Sequence, residues 1–222
     1  MFDYSPLLIS LKTAFTATFI TFFFGIYMAV LVKKLNKNLQ NIINAIITLP
    51  LVLPPTIIGF ILLLTFGKNG FIGRILEKFD YSLIFSWEST VLAAVTISFP
   101  LMYNTSKGAL EQIDENIISA AKTMNVSSTK IFWKIIFPLA WPGIVAGTIL
   151  SFTRALGEFG ATLMIAGNIP GKTQTIPLAI YFAVESGDNQ SAIKWVIIVV
   201  LIASLTIISL NFWNKKNYYE RR

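Results

Sequence analysis

The 222-residue chain contains no cysteine and no histidine, and only 13% of its residues are charged. Without cysteine there are no disulfides, Fe–S clusters or thiol nucleophiles, and without histidine the commonest metal ligand and the usual general base are missing. No cofactor and no metal site are therefore expected. Acidic residues are also scarce, 11 against 18 basic ones, giving a formal charge of +7. What is abundant is oil: 55% of residues are hydrophobic and the mean hydropathy is +0.67, outside the range of an ordinary water-soluble domain.

The apolar residues gather into about five long runs, near Leu7 to Val32, Ile42 to Phe66, Ile84 to Tyr103, Leu139 to Ala166 and Trp195 to Trp213. About 20 helical residues cross a hydrocarbon core of roughly 30 Å, and lipid leaves no partner for an unpaired backbone group. The expected fold class is all-α: a polytopic membrane protein of about five transmembrane helices, forming one transmembrane domain over 1–222. The first run follows "MFDYSP", which carries Asp3 and no basic residue, and it is longer than a leader's apolar core; a retained span is expected.

Basic residues mark the cytoplasmic side. They concentrate in "KKLNKN" (33–38), in the polar middle from Lys107 to Lys134, and in the tail "NKKNYYERR" (214–222). The alternating loops, 67–83 and 167–194, offset their lysines and arginine with acids. An outer N-terminus, a cytoplasmic C-terminus and a cytoplasmic tail 214–222 follow. Loop charges of this kind produce the positive total without a nucleic-acid surface, so no nucleic acid is expected as a partner. Trp87, Trp141, Trp195 and Trp213 lie near run ends, as interfacial anchors do.

The stretch "SAAKTMNVSSTKIFWKIIFPLA" (119–140) interrupts the oil. Ile113, Ile117, Ala121 and Met124 repeat on one helical face, with Asp114 and Glu115 at the start where the dipole favours acids. Asn125 tolerates the left-handed conformation that stops a helix, and Ser127 or Ser128 can cap the next, which carries Ile131, Ile135 and Ile136. Helix, turn and helix are expected, ending at Pro138. The residues alone are compatible with a loop lying on the membrane or with a docking element for a cytoplasmic partner.

This stretch resembles the cytoplasmic coupling loop of the permease subunits of binding-protein-dependent ABC importers. Ala120, Ala121, Ile135 and Pro138 match that pattern in spacing, while Ser119 stands where Glu is usual, Asn125 replaces Gly and Phe137 replaces Leu. Three further segments, "LPLVLPPTIIGFILLLTFGKNGFIG" (49–73), "FSWESTVLAAVTISFPLM" (85–102) and "LGEFGATLMIAGNIPGKTQTIPLAIY" (156–181), are similar to the molybdate-importer permease subunits, with sulfate and thiosulfate permeases as close relatives. The resemblance implies two copies of the chain around a pore, cytoplasmic ABC ATPase subunits gripping a coupling loop at about 105–138, and an extracytoplasmic oxyanion-binding protein. It implies that ATP is hydrolysed in the separate subunit, so no catalytic residue is assigned. The coupling residues would be Ile117, Ser119, Ala120, Ala121, Met124, Asn125, Ile135 and Pro138.

"AGNIPGKT" (166–173) satisfies a relaxed phosphate-loop pattern. A phosphate loop needs a preceding strand and a following helix; a span precedes this one, and Pro177 is expected to interrupt a following helix. An outer loop tightened by Gly167, Pro170 and Gly171 is the reading.

Arg154 and Glu158 lie one helical turn apart inside the fourth run. Intramembrane charges usually face a bundle interior or a water-filled path. The two readings are a local pair that fixes packing, or an arginine that offers positive potential to a passing dianion. Pro54 and Pro55, with Pro50, interrupt the second run, as a packing kink or as a bend that lines the pore. Gly157, Gly160, Ala161 and Thr162 permit close helix approach. The pathway or gate candidates are Pro54, Pro55, Arg154, Glu158 and Thr162. A self-sufficient secondary transporter is the alternative of a different class; its expected internal repeats and intramembrane acids are represented by Glu158 alone.

Overall fold

The computed structural model describes residues 3–219, with side chains through residue 209. The tail residues Arg221 and Arg222 lie outside the described residues, as do the side chains of Trp213, Lys215 and Lys216. The described chain is helical throughout, as expected. Its elements are α1 (Ser5–Lys33), α2 (Lys37–Val52), α3 (Pro55–Phe66), α4 (Phe71–Glu77), α5 (Trp87–Glu111), α6 (Glu115–Thr123), α7 (Ser128–Ile131), a π-turn (Phe132–Ile136), α8 (Phe137–Leu156), α9 (Gly160–Ala166), α10 (Ile176–Glu185) and α11 (Asn189–Tyr219).

Among the described residues, three helices are long and apolar enough to cross a membrane, Ser5–Lys33, Ser128–Leu156 and Asn189–Ser209, and the bent pair α2–α3 makes a fourth candidate. The third run is α5, whose 25 residues span about 37 Å at 1.5 Å per residue. Its face is rich in Ser and Thr that lie buried against neighbours: Ser89, Thr90, Ser98 and Ser106.

Helices α1, α5 and α8 form the centre of the molecule, packed through small residues. Helix α1 turns Ser10, Ala14, Ala17, Thr21, Gly25 and Ala29 inward and leaves Phe15, Phe19, Phe23, Phe24 and Tyr27 exposed. That reverses the pattern of a soluble helix, because lipid is as apolar as phenylalanine and association depends on close backbone approach instead. A Cβ on Gly25 would lie 2.7 Å from Met102 Cγ. Several buried hydroxyls are satisfied: Thr18 donates to Ala14 O (2.6 Å), Ser98 to Ala94 O (2.7 Å), and the Thr13 and Thr90 hydroxyls meet at 3.0 Å, whereas Ser106 Oγ has no partner. Of these, the Thr13–Thr90 bond joins two helices, and such interhelical bonds contribute about 0.6 kcal/mol each in membranes.

The second run is interrupted rather than kinked: α2 and α3 meet at 112°. The cause is local. A residue preceding proline is pushed to extended ψ, and both Leu53 (ψ 142) and Pro54 (ψ 135) precede one. Pro55 then opens α3, where its missing N–H costs nothing. Pro50 is absorbed inside α2. Helix α2 is tethered to α5 by the Tyr103 hydroxyl, which donates to Asn44 Oδ1.

Four expectations are corrected. The fourth run is not one span, because α8 ends at Leu156 and α9 starts afresh at Gly160. Pro138 does not end the hairpin: it follows the π-turn in the first turn of α8, and helix continues from Ser128 to Leu156. The 167–194 segment contains α10, whose Ile176, Leu178 and Ala179 are buried; Pro177 occupies its first turn and starts this helix instead of breaking it. Trp195 is buried beside Ile176 and Ala179 rather than placed as an exposed anchor.

Candidate functional site: a capped hairpin and two facing helix breaks

The polar middle folds as a hairpin that projects its apolar side chains. Asp114 caps α6, its carboxylate accepting from Asn116 N at 2.9 Å. Asn125 takes φ 59, and the α6 carbonyls are closed by Asn125 N to Lys122 O (2.9 Å) and Val126 N to Ala121 O (3.3 Å), a Schellman arrangement with asparagine in glycine's place. Ser127 takes the cap position of α7, without a side-chain bond. Ala121 and Ile113 face inward, whereas Ile117 is 44% and Met124 78% exposed. Ser119, Ala120, Asn125 and Pro138 are exposed, and Ile135 is half-buried. An amphipathic helix would turn its apolar residues into its own protein; here the turn pushes the largest of them outward.

The other candidates converge elsewhere. Arg154 sits in the last turn of α8 and Glu158 in the gap before α9. Arg154 Nη1 and Glu158 Oε2 form a 2.8 Å ion pair, without the alignment of a hydrogen bond. The other carboxylate oxygen, Oε1, accepts from Ala161 N at 2.8 Å. Each charge thus complements the helix terminus beside it, the guanidinium near the carbonyl end of α8 and the carboxylate at the amide end of α9. Glu158 is 2% exposed and Arg154 30%, so the arginine is the member that reaches open space. The pair keeps its i, i+4 spacing although the helix between is broken.

The two breaks face each other. A Cβ on Gly59 of α3 would lie 2.7 Å from Ala161 Cα, and one on Gly160 would lie 3.2 Å from Pro55 Cβ and from Thr56 N. Pro55 therefore abuts the start of α9, while Pro54 is exposed and Thr162 is buried. Sequence reading missed Gly59, whose only signal was a glycine inside an apolar run. It also missed Phe85, whose φ of 57 lets its N–H donate to Ile165 O at 3.1 Å and whose ring lies over Gly167.

The phosphate-loop look-alike lacks the required frame: α9 precedes it, and Thr173 is buried with its hydroxyl accepting from Ile169 N at 3.0 Å. Among the described residues no group of three or more acidic residues is gathered to hold a metal ion.

The chain belongs to the family described as "Binding-protein-dependent transport system inner membrane component", whose model matches residues 21–216. It is 42% identical over 205 residues to the putative molybdenum transport system permease protein YvgM of Bacillus subtilis (strain 168), covering 92% of this chain and 90% of that protein. It is 38% identical over 221 residues to the molybdenum transport system permease protein ModB of Escherichia coli (strain K12), covering 99% and 96%. The sulfate transport system permease protein CysT of the same organism is 32% identical over 203 residues, covering 91% and 73%. Among solved structures, an inward-facing MetNI methionine ABC transporter aligns with TM-score 0.71 at 18% identity, over 93% of this chain and 91% of that one; this likeness concerns the fold.

Proposed function

We propose that this chain is the membrane-spanning permease subunit of an ATP-driven importer for a tetrahedral oxyanion, molybdate in first place. The observation that carries the reading is the ranking of its relatives. Proteins named for molybdenum transport match it at 42% and 38% identity over nine tenths or more of both chains, above the sulfate permease at 32%. ATP hydrolysis belongs to a separate cytoplasmic subunit, two copies of this chain enclose the path, and an extracytoplasmic binding protein delivers the anion. The N-terminus lies outside and the C-terminus inside, an orientation supported by the lysines at 33–38 and 107–134.

The hairpin at 105–138 is the surface that the ATPase subunit grips, through Ile117, Ser119, Ala120, Met124 and Asn125, with Ala121, Ile135 and Pro138 holding its shape. A capped, rigid protrusion transmits a rigid-body movement to the helices that continue from it. Helix continues unbroken from Ser128 to Leu156, so a push on the hairpin reaches Arg154 directly. Arg154, Glu158, Pro54, Pro55 and Thr162 belong to the moving junction, where the part-exposed guanidinium lowers the barrier to a dianion.

The test is uptake of radiolabelled molybdate into vesicles carrying this chain with its ATPase and binding protein. Uptake that needs ATP, survives a proton ionophore and is competed by tungstate before sulfate is the expected result. Uptake without ATP that collapses with the ionophore would identify a secondary carrier and overturn the reading.

A further inference from the structure

A cavity of about 580 Å3 opens between the cytoplasmic-side end of α1 and the inner flank of the hairpin, away from the exposed Met124. Its polar wall carries Lys33, Lys34 and Lys122, with Ser128 beside them; its apolar wall includes Phe132 and Ile136. No carboxylate lines it. Lys33 Nζ is already fixed by donating to Leu110 O at 3.0 Å, which leaves Lys34 and Lys122 as the freer cations.

The cavity sits at a membrane boundary. Lys33 is the last residue of a 29-residue apolar helix, and an aromatic ladder continues from the apolar wall: Phe132 to Trp133, Trp133 to Phe137 and Phe137 to Trp141, at ring separations of 5.2, 5.3 and 5.4 Å. Aromatic residues of this kind collect at the level of lipid headgroups. Phe132 and Ile136 are also the first and last residues of the π-turn. Such turns are rare and recur at functional sites.

We propose that this cavity is a binding site for one anionic phospholipid. Its phosphate sits between Lys34 and Lys122, and its acyl chains run down over Phe132 and Ile136. Charge complementarity selects the anion: three lysines line one space, and no acidic residue does. The apolar wall selects a lipid over a free oxyanion, because a small dianion gains nothing from Phe132 and Ile136 and leaves most of the volume unfilled. Lys34 comes from the end of α1 and Lys122 from the hairpin, so the bound phosphate ties the hairpin to the spans.

The experiment is native mass spectrometry of the full chain taken from nanodiscs of equal parts phosphatidylglycerol and phosphatidylcholine. Phosphatidylglycerol is expected to be retained preferentially. Each of Lys34→Gln and Lys122→Gln should lower its retention about fivefold, and Lys34→Arg should preserve it. Equal retention of the two lipids, or no response to the glutamine variants, would overturn the proposal. Displacement of the lipid by millimolar inorganic phosphate would also overturn it, showing an anion pocket without lipid recognition. Should the variants misfold, phosphatidylglycerol with a photoreactive acyl chain decides on the unaltered protein. Adducts mapping to residues 128–136 support the site, and adducts confined to other segments refute it.

Discussion

The hairpin and the facing breaks stop helices by opposite means. At Asn125 the backbone closes its own carbonyls and presents large apolar side chains to the outside. At the break in the second run Pro55 packs against Gly160, more than 90 residues away, and at the break in the fourth the buried Glu158 carboxylate is inserted into the gap. A surface termination can be altered without cost to the fold. A buried one cannot, since an uncapped amide in hydrocarbon has no water to turn to. Under the proposed function, the hairpin is where transport can be uncoupled from folding, and the junction is where the two are joined.

The sharpest way to break that contrast is Met124→Asp. The residue is 78% exposed, so inserted and dimeric protein should be recovered in full while ATP-coupled uptake falls to background; normal uptake would remove the hairpin from the coupling route. At the junction, Gly59→Ala places a Cβ 2.7 Å from Ala161 Cα, backbone that cannot swing away. Overpacking of that kind costs about 1–3 kcal/mol, and thermal melting of purified permease should show it together with lost uptake.

Glu158→Ala removes the ion pair and the α9 cap together, a loss of about 1.5–3 kcal/mol for a hydrogen bond to a charged group. Glu158→Gln can still accept from Ala161 N, so folded yield should recover while the charge does not. Arg154→Ala separates the same roles from the other side, lowering oxyanion flux more than folded yield. Equal losses would leave the arginine a packing residue.

The smallest effect lies outside the membrane. Asp188 accepts from Ser191 N at 3.0 Å at the start of α11, and bonds from Ser191 hold its carboxyl below the usual carboxylate range. A lowered folded pKa means the cap is in place above the unfolded pKa and is lost as pH falls through the folded one. Asp188→Ala should speed amide exchange at Ser191 at neutral pH and leave it unchanged in strong acid.

Much of this was legible in the sequence. The long apolar runs predict the helices, the paired prolines predict the interrupted second span, and Asn125, with Ser127 or Ser128 after it, predicts where the hairpin turns, though not that its second helix runs on past Pro138. All are local signals. The break after Leu156 escaped because Arg154 and Glu158 keep the spacing of a continuous helix, so their pairing disguised the gap they stabilise. Helix α10 escaped because the charges flanking it gave the segment the look of a loop. The meeting of Gly59 with Ala161 and the gathering of Lys33, Lys34 and Lys122 join positions about 90 to 100 apart, and nothing in one sequence announces such a contact.

The shape of α2 and α3 also constrains how the protein comes to be built. At 16 and 12 residues they measure about 24 and 18 Å, and neither alone reaches across a bilayer. Helix α1, at 29 residues, is long enough to cross lipid by itself, and its Thr18 and Thr21 hydroxyls bond to carbonyls of their own helix. The elbow has no such independence, since the flank of α3 at Gly59 is completed by Ala161 and Met164, which follow about a hundred positions later in the chain. Biogenesis must hold an early segment unfinished until a late one arrives, which makes the elbow the natural client of whatever machinery shelters partly inserted chains.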